Sequence, residues 1–222
     1  MSGWLDPLPL SFLVASAATV VCALVGVAAG ALLAWPRLPG RDLIEAVLTA
    51  PLVLPPTVLG YYLLVALGRR SVLGGWIEAV TGSPLVFSRA GAVVAATVGG
   101  LPLTIRAARG AIESVDPLLV QAARSLGAGP VRALVTVVLP LATRGILAGL
   151  TLSFARALGD FGVTLMVAGN ITGETQTASL AIYDAIQAGH DERAAGQAAL
   201  LAALSVGALY AVSKLTAPRW RR

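Results

Sequence analysis

The chain has 222 residues, of which 57% are hydrophobic and only 12% are charged, and its mean hydropathy is +0.83. Soluble domains carry about 25% charged residues, so this composition excludes an ordinary water-soluble protein. Because one membrane span needs about 20 mostly apolar residues, the length predicts five or six spans in a single membrane domain over residues 1–222.

The positive charge of the chain has a topological explanation. There are 16 Lys and Arg residues against 11 Asp and Glu residues, and the pI is near 10.1. Most of the basic residues lie in loops or near span ends, where they keep loops cytoplasmic, so we expect no nucleic-acid partner. Cys22 is the only cysteine and His190 the only histidine, which excludes an intrachain disulfide and leaves no ligand set for a metal ion.

Five apolar runs are long enough to cross a membrane, and they cover residues 10–35, 44–67, 87–108, 141–169 and 194–215. Gly26 and Gly30, in the first run, have the four-residue spacing that lets helices approach closely. Residues 177–188 are apolar at helical spacing but too short to span a bilayer, which indicates either a re-entrant or an interfacial helix.

The second run contains Pro51, Pro55 and Pro56, which predict a kinked or broken helix because proline removes a backbone donor. In lipid, the freed carbonyl groups are tolerated only against protein or a water-filled cavity. Thr57, directly after the break, is therefore a candidate for the lining of a pore, with simple packing as the alternative.

The distribution of basic residues predicts the orientation of the chain. With five spans, eleven basic residues fall on one side and four on the other. By the positive-inside rule, the N-terminus is outside and the C-terminus is cytoplasmic. The eleven are Arg37, Arg41, Arg106, Arg109, Arg124, Arg132, Arg144, Lys214, Arg219, Arg221 and Arg222.

The loop at about 116–140 falls on the cytoplasmic side and reads DPLLVQAARSLGAGPVRALVTVVLP. An Asp-Pro turn, a helix-compatible stretch and a break at Gly129-Pro130 predict a short, rigid helix joined to two spans. The loop then continues to Leu139-Pro140, where we expect span four to open.

This loop resembles the "EAA" loop of ABC importer permeases, in which E-A-A is followed after three residues by Gly and after nine more by I-x-L-P. Here Gln121-Ala122-Ala123 is followed at the same spacing by Gly127, and then by Val137, Val138, Leu139 and Pro140. Gln121 replaces the family's Glu and removes a charge. The resemblance implies that Gln121, Ala122, Ala123, Gly127, Leu139 and Pro140 couple the chain to a cytoplasmic ATPase.

Three further segments are similar to molybdate and sulfate permeases: PLVLPPTVLGYYLLVALGRR, SFARALGDFG and GNITGETQTASLAIYDAIQAG. The resemblance implies an all-α membrane protein with the type I ABC importer permease fold in the bacterial cytoplasmic (inner) membrane. It also implies a homodimer, two ATPase subunits and an extracytoplasmic oxyanion-binding protein. Molybdate is the expected cargo, with tungstate or sulfate as alternatives. No Gly-rich Walker motif is present in the chain, so ATP is expected on the partner ATPase, with no cofactor on this chain.

Arg156 and Asp160 are the charged residues in the middle of the fourth run, where each costs about 2.5 to 3.5 kcal/mol. Four residues apart on a helix, they can pair. We expect them, with Pro55, Pro56 and Thr57, to form the translocation pathway or gate, acting as an ion pair rather than as a direct oxyanion site. An intramembrane enzyme would need a convergent set of reactive side chains, and an ion-coupled secondary transporter would more often show internal repeats. The sequence shows neither feature, so we expect no catalysis by this chain, and an ion-coupled secondary transporter is the less favoured alternative.

Overall fold

The structure is a computed structural model that describes residues 6–35 and 38–216. Every regular element in those residues is helical, as predicted. In chain order the helices are α1 (Pro7–Leu33), α2 (Arg41–Leu52), α3 (Pro56–Leu67), α4 (Val72–Thr81), α5 (Arg89–Glu113), α6 (Pro117–Ser125), α7 (Pro130–Leu158), α8 (Gly162–Ala168), α9 (Ala178–Gln187) and α10 (Asp191–Thr216). Arg37, Arg219, Arg221 and Arg222, which enter the predicted charge asymmetry, lie outside the described residues.

Four helices of the described chain, α1, α5, α7 and α10, are long and apolar enough to cross a membrane. Helices α2 and α3 form a fifth span if they are counted together, and their axes differ in direction by 107°. The predicted number of about five spans is confirmed in this sense. The break predicted from the prolines is also confirmed, and it falls between Leu52 and Pro56.

Helix α5 lies at the centre of the molecule, and α1 packs closely against it. A Cβ atom added to Gly26 would lie 2.8 Å from Thr104 Cγ2, and one added to Gly30 would lie 2.7 Å from Ala108 Cβ. Only glycine permits this approach, so the close contact predicted from the spacing of the two glycines is confirmed. The core is built from small residues, including Ala92, Ala95 and Ala96 of α5.

Helix α7 runs antiparallel to α5, and the two are joined by small residues and hydroxyl groups. Gly149 faces Ala107 one helical turn from Ser153. The Ser153 hydroxyl donates to the Gly100 carbonyl at 2.8 Å and lies 2.7 Å from Thr104 Oγ1. Because serine has one hydroxyl proton, Thr104 must donate to Ser153. Such interhelical hydrogen bonds hold helices together where no hydrophobic driving force acts.

Substituting Gly149 with Ala should destabilise the protein. The new Cβ atom would lie 2.3 Å from Ala107 Cβ, so the two helices must separate, at a cost of about 1–3 kcal/mol. Unfolding of the purified protein in mixed micelles measures this change. Gly110→Ala is the matched control because its Cβ atom would have no neighbour within 4 Å. Equal stability of the two variants would contradict this packing.

Span four differs from its prediction at both ends. The predicted start was residue 141, whereas α7 begins at Pro130. Pro140 therefore lies inside a continuous helix. A π-type turn at Leu134–Val138, in which the Leu139 amide donates to the Leu134 carbonyl, precedes the proline and accommodates its missing donor and its ring. The predicted run to residue 169 is interrupted after Leu158, and a separate helix, α8, follows.

Candidate functional site

Asp160 lies in the break between α7 and α8, and both oxygens of its carboxylate accept hydrogen bonds. One oxygen accepts a bond of 2.9 Å from Arg156 Nη1. The other accepts from the backbone amide and the hydroxyl of Thr164, at 2.9 and 2.6 Å. The side chain is only 2% exposed, so the carboxylate both caps the short helix α8 and neutralises Arg156.

The ion pair lies about midway along α5, a helix long and apolar enough to cross a membrane. Its neighbour across the helix contact is Gly99, whose added Cβ atom would lie 3.7 Å from Arg156 Nη2 and 4.0 Å from Asp160 Oδ1. Gly99 is the eleventh of the 25 residues of α5, about 15 Å along the helix from Arg89. A charge at this depth is tolerated only against protein or water, and the Arg156 side chain is 36% exposed.

The broken second span meets the break in the fourth span at this depth. A Cβ atom added to Gly162, the first residue of α8, would lie 2.9 Å from Pro56 Cβ, and Gly60 of α3 faces Met166 in the same close manner. Pro56 begins α3 and Gly162 begins α8, so the two half-helices run side by side from the same level. The structure thus brings the predicted proline segment close to the predicted ion pair.

Residues 53–58 at the proline break form an exposed surface of the single chain. Val53 is 87% exposed, and Pro55, Pro56 and Thr57 are also exposed. Pro55 and Pro56 cannot donate to the carbonyl groups four residues before them. Interrupted helices of this kind occur in membranes where they line a cavity or a substrate path.

Helix α9 and the segment before it contact the break between α7 and α8, which sequence reasoning did not predict. The Ser179 hydroxyl donates to the Asp160 carbonyl at 2.8 Å, and the Phe161 ring packs on Tyr183 with centroids 5.0 Å apart. Asp184 accepts bonds from the side-chain amides of Asn170 and Gln176. Helix α9 and the segment before it are therefore tied to the break by polar contacts. The only sequence signal for these contacts was that the residues belong to one segment, GNITGETQTASLAIYDAIQAG, which is similar to molybdate permeases.

Helix α6 corresponds to the helix predicted in the loop at 116–140. The Asp116 carboxylate accepts from the Leu118 amide at 2.8 Å and caps its start. At its end, the Gly127 amide donates to the Arg124 carbonyl and the Ala128 amide to the Ala123 carbonyl, both at 3.0 Å. This is a Schellman motif, and it needs the positive φ of +88° that Gly127 adopts. The glycine in the pattern thus ends the helix.

The two faces of α6 differ. Leu118 and Leu119 are 67% and 47% exposed, and Leu126 just after the helix is 90% exposed. The opposite face, with Gln121 and Arg124, borders an open cleft of about 500 Å³ between α6 and the ends of the spans. Exposed apolar side chains of this kind mark a surface that contacts a protein partner or lipid.

The predicted coupling residues fall into two groups. Gln121, Ala122 and Ala123 lie on α6, with Gly127 at its end. Leu139 and Pro140 lie two turns and more into α7, where Leu139 packs near Ala108 of α5. The structure therefore places the end of the sequence pattern within α7, with Leu139 partly buried and Pro140 exposed, rather than on α6.

The chain matches a known family in sequence and a known transporter in fold. Residues 26–222 match the family model described as "Binding-protein-dependent transport system inner membrane component". The chain belongs to this family. The fold is that of an ABC importer permease: a chain of the MetNI methionine ABC transporter, solved in an inward-facing conformation, superposes with a TM-score of 0.70 at 21% identity, covering 96% of this chain and 93% of that chain. Family and fold agree with the sequence-based predictions.

Within this family, the chain is similar to several molybdenum transport permeases. The chain is 44% identical over 192 residues to the molybdenum transport system permease protein ModB of Escherichia coli K12, covering 86% of this chain and 84% of that protein. It is 37% identical over 211 residues to ModB of Azotobacter vinelandii, covering 94% and 93%. A putative molybdenum transport system permease protein of Bacillus subtilis, YvgM, is 40% identical over 190 residues.

Proposed function

We propose that this chain is the membrane-spanning permease subunit of an ABC importer that carries molybdate across the cytoplasmic membrane, driven by ATP hydrolysis on a separate subunit. The observation that carries the proposal is its similarity to molybdenum transport permeases over 84 to 93% of their lengths. The exposed helix α6 supplies the surface that an ATPase needs. The chain itself performs no catalysis.

In the proposed complex, two copies of the chain face each other across the pathway. A single copy leaves Val53 and the proline break open, and two copies would enclose them. Two ATPase subunits dock on the α6 helices from the cytoplasm, and a binding protein delivers the oxyanion from outside. The N-terminus is outside and the C-terminus cytoplasmic, following the charge asymmetry of the loops.

The translocation pathway passes the two helix breaks at mid-membrane. Arg156 presents a guanidinium that Asp160 already neutralises in part, so it lowers the barrier for a divalent oxyanion without holding it tightly. Weak binding is required because an anion trapped at this depth would block conduction. Pro55, Pro56 and Thr57 form the adjoining gate segment, which changes position when the ATPases close.

Uptake into vesicles tests the cargo. The chain is reconstituted with its ATPase and binding protein, and radiolabelled molybdate is measured with ATP inside or outside the vesicles. We expect uptake that requires ATP at the ATPase side and is competed by tungstate, since the two anions are alike in charge and size, with weaker competition by sulfate. Stronger transport of sulfate would replace molybdate as the cargo. Uptake driven by an ion gradient without ATP would overturn the ABC importer proposal.

A further inference from the structure

A cluster of charged side chains joins α2 to the end of α5. Arg109 is 14% exposed, and its Nη1 group pairs with the Glu45 carboxylate. Its Nε group donates to Glu113 Oε1 at 2.8 Å. Glu45, 20% exposed, also has Arg106 at 3.7 Å. One guanidinium thus bridges two helices whose residues are 64 positions apart in the chain.

The position of Arg109 is fixed by packing, whereas that of α2 is not. A Cβ atom added to Gly30 of α1 would lie 3.0 Å from the Arg109 amide nitrogen, so this turn of α5 cannot shift without α1. By contrast, the segment Arg41–Thr49 of α2 has no buried residue, and its apolar residues Leu43 and Val47 are 71% and 65% exposed. Charge pairs therefore provide much of its attachment to the rest of the chain.

The cluster stands between the two functional segments. Glu113 ends α5, and the coupling helix α6 begins at Pro117. Glu45 lies ten residues before Pro55, where the second span breaks. A displacement of α6 that carries the end of α5, and α1 with it, would therefore act on α2 and the proline break through the Arg109–Glu45 pair. Coupling between sites requires such a physical connection between elements that move.

We propose that Arg109 and Glu45 are positioning residues that transmit the movement of α6 to the broken second span. This inference rests on the proposed function. A partly buried pair that belongs to a network resists separation better than an exposed pair does, and loss of the pair releases α2 while leaving α6 and its ATPase contact intact.

Glu45→Gln tests the proposal in the reconstituted complex. We expect molybdate uptake per ATP hydrolysed to fall on the order of tenfold, as for the loss of one coupling term between sites, while ATP hydrolysis and subunit assembly stay near wild type. Asp42→Asn is the matched control. Asp42 lies on the same helix, but its side chain is 87% exposed, and its carboxylate is 4.0 Å from Arg109, too far for a hydrogen bond. This control should transport like wild type. The double variant Glu45→Gln/Arg109→Gln should be no worse than Arg109→Gln alone, since the Arg109→Gln variant has already lost the Glu45–Arg109 pair.

Equal behaviour of Glu45→Gln and Asp42→Asn would overturn the proposal. Loss of assembly together with uptake in Glu45→Gln would also overturn it, by showing a purely structural role. A readout without cargo separates this proposal from the choice of substrate: spin labels at Leu43 and Ser125, in a Cys22→Ala background, report the distance between α2 and α6. We expect one narrow distance in each nucleotide state, and a broad distribution in Glu45→Gln; an unchanged distribution would contradict the connection even if the cargo proved to be another anion.

Discussion

Replacing residues 121–127 with a flexible Gly-Ser linker of equal length should reduce ATP-driven molybdate uptake to background while the membrane helices stay folded. The replacement removes the second half of α6 and the Schellman motif that ends it. A flexible linker cannot transmit force, because each of its residues keeps its conformational freedom. ATP hydrolysis by the complex should persist without transport. Vesicle uptake and phosphate release, measured on one preparation, report the two quantities.

Substitutions at Gly127 provide a graded control for this prediction. Its φ of +88° costs other L-residues about 1–2 kcal/mol, but Asn tolerates the left-handed region better than a β-branched residue does. Gly127→Asn should therefore retain more uptake than Gly127→Val, with nothing else changed, since a Cβ atom at this position meets no neighbour within 4 Å. ATP-dependent uptake that survives in the linker variant would refute the coupling role of α6.

The features that could be predicted from the sequence are those imposed by the membrane. Bilayer thickness sets the length of an apolar run, so the spans were recognisable, and α5 begins within two residues of the predicted start at residue 87. Pro55 and Pro56 predicted the break in the second span because proline has no backbone N–H to donate to the carbonyl group four residues earlier. The close approach of α1 to α5 at Gly26 and Gly30 followed from residue size alone.

Helix α4 was not predicted, although its ends carry local signals. The Ser71 hydroxyl accepts from the Gly74 amide at 2.8 Å, and Gly82 follows the helix with a φ of +74°. These are ordinary start and stop signals. A search for long apolar runs misses them because the helix has only ten residues.

Contacts between distant segments could not be predicted. The break after Leu158 depends on Asp160, whose carboxylate takes the Thr164 amide, and a spacing of four on one helix suggested a pair with Arg156 but not an interruption. Glu45 and Arg109 are 64 residues apart, and no sequence pattern links them. Such contacts arise from tertiary packing, which overrides local preference.

Asp160→Asn should cause the largest loss of stability and uptake among single substitutions in the translocation site. The change removes the negative charge that pairs with Arg156. The asparagine side chain would face the guanidinium either with its NH2 group, which is a donor, or with its carbonyl oxygen, which is a weaker acceptor than a carboxylate. Breaking one partner of a buried pair costs about 3 kcal/mol or more, reduced here because Arg156 is 36% exposed. We expect a lower free energy of unfolding in micelles and little ATP-driven uptake. Thr164→Val, which removes only the 2.6 Å hydroxyl bond to Asp160, should have a smaller effect.

The double variant Arg156→Gln/Asp160→Asn distinguishes a structural pair from a charge that acts on the cargo. With both charges removed, no unpaired charge remains at mid-membrane, so stability should recover relative to Asp160→Asn. If Arg156 only balances Asp160, uptake should recover as well. If Arg156 also lowers the barrier for the oxyanion, as we propose, uptake should stay low in a stable complex, because the pathway has lost its cation beside the two helix breaks. Wild-type uptake in the double variant would exclude that role, and wild-type stability in Asp160→Asn would exclude the buried pair itself.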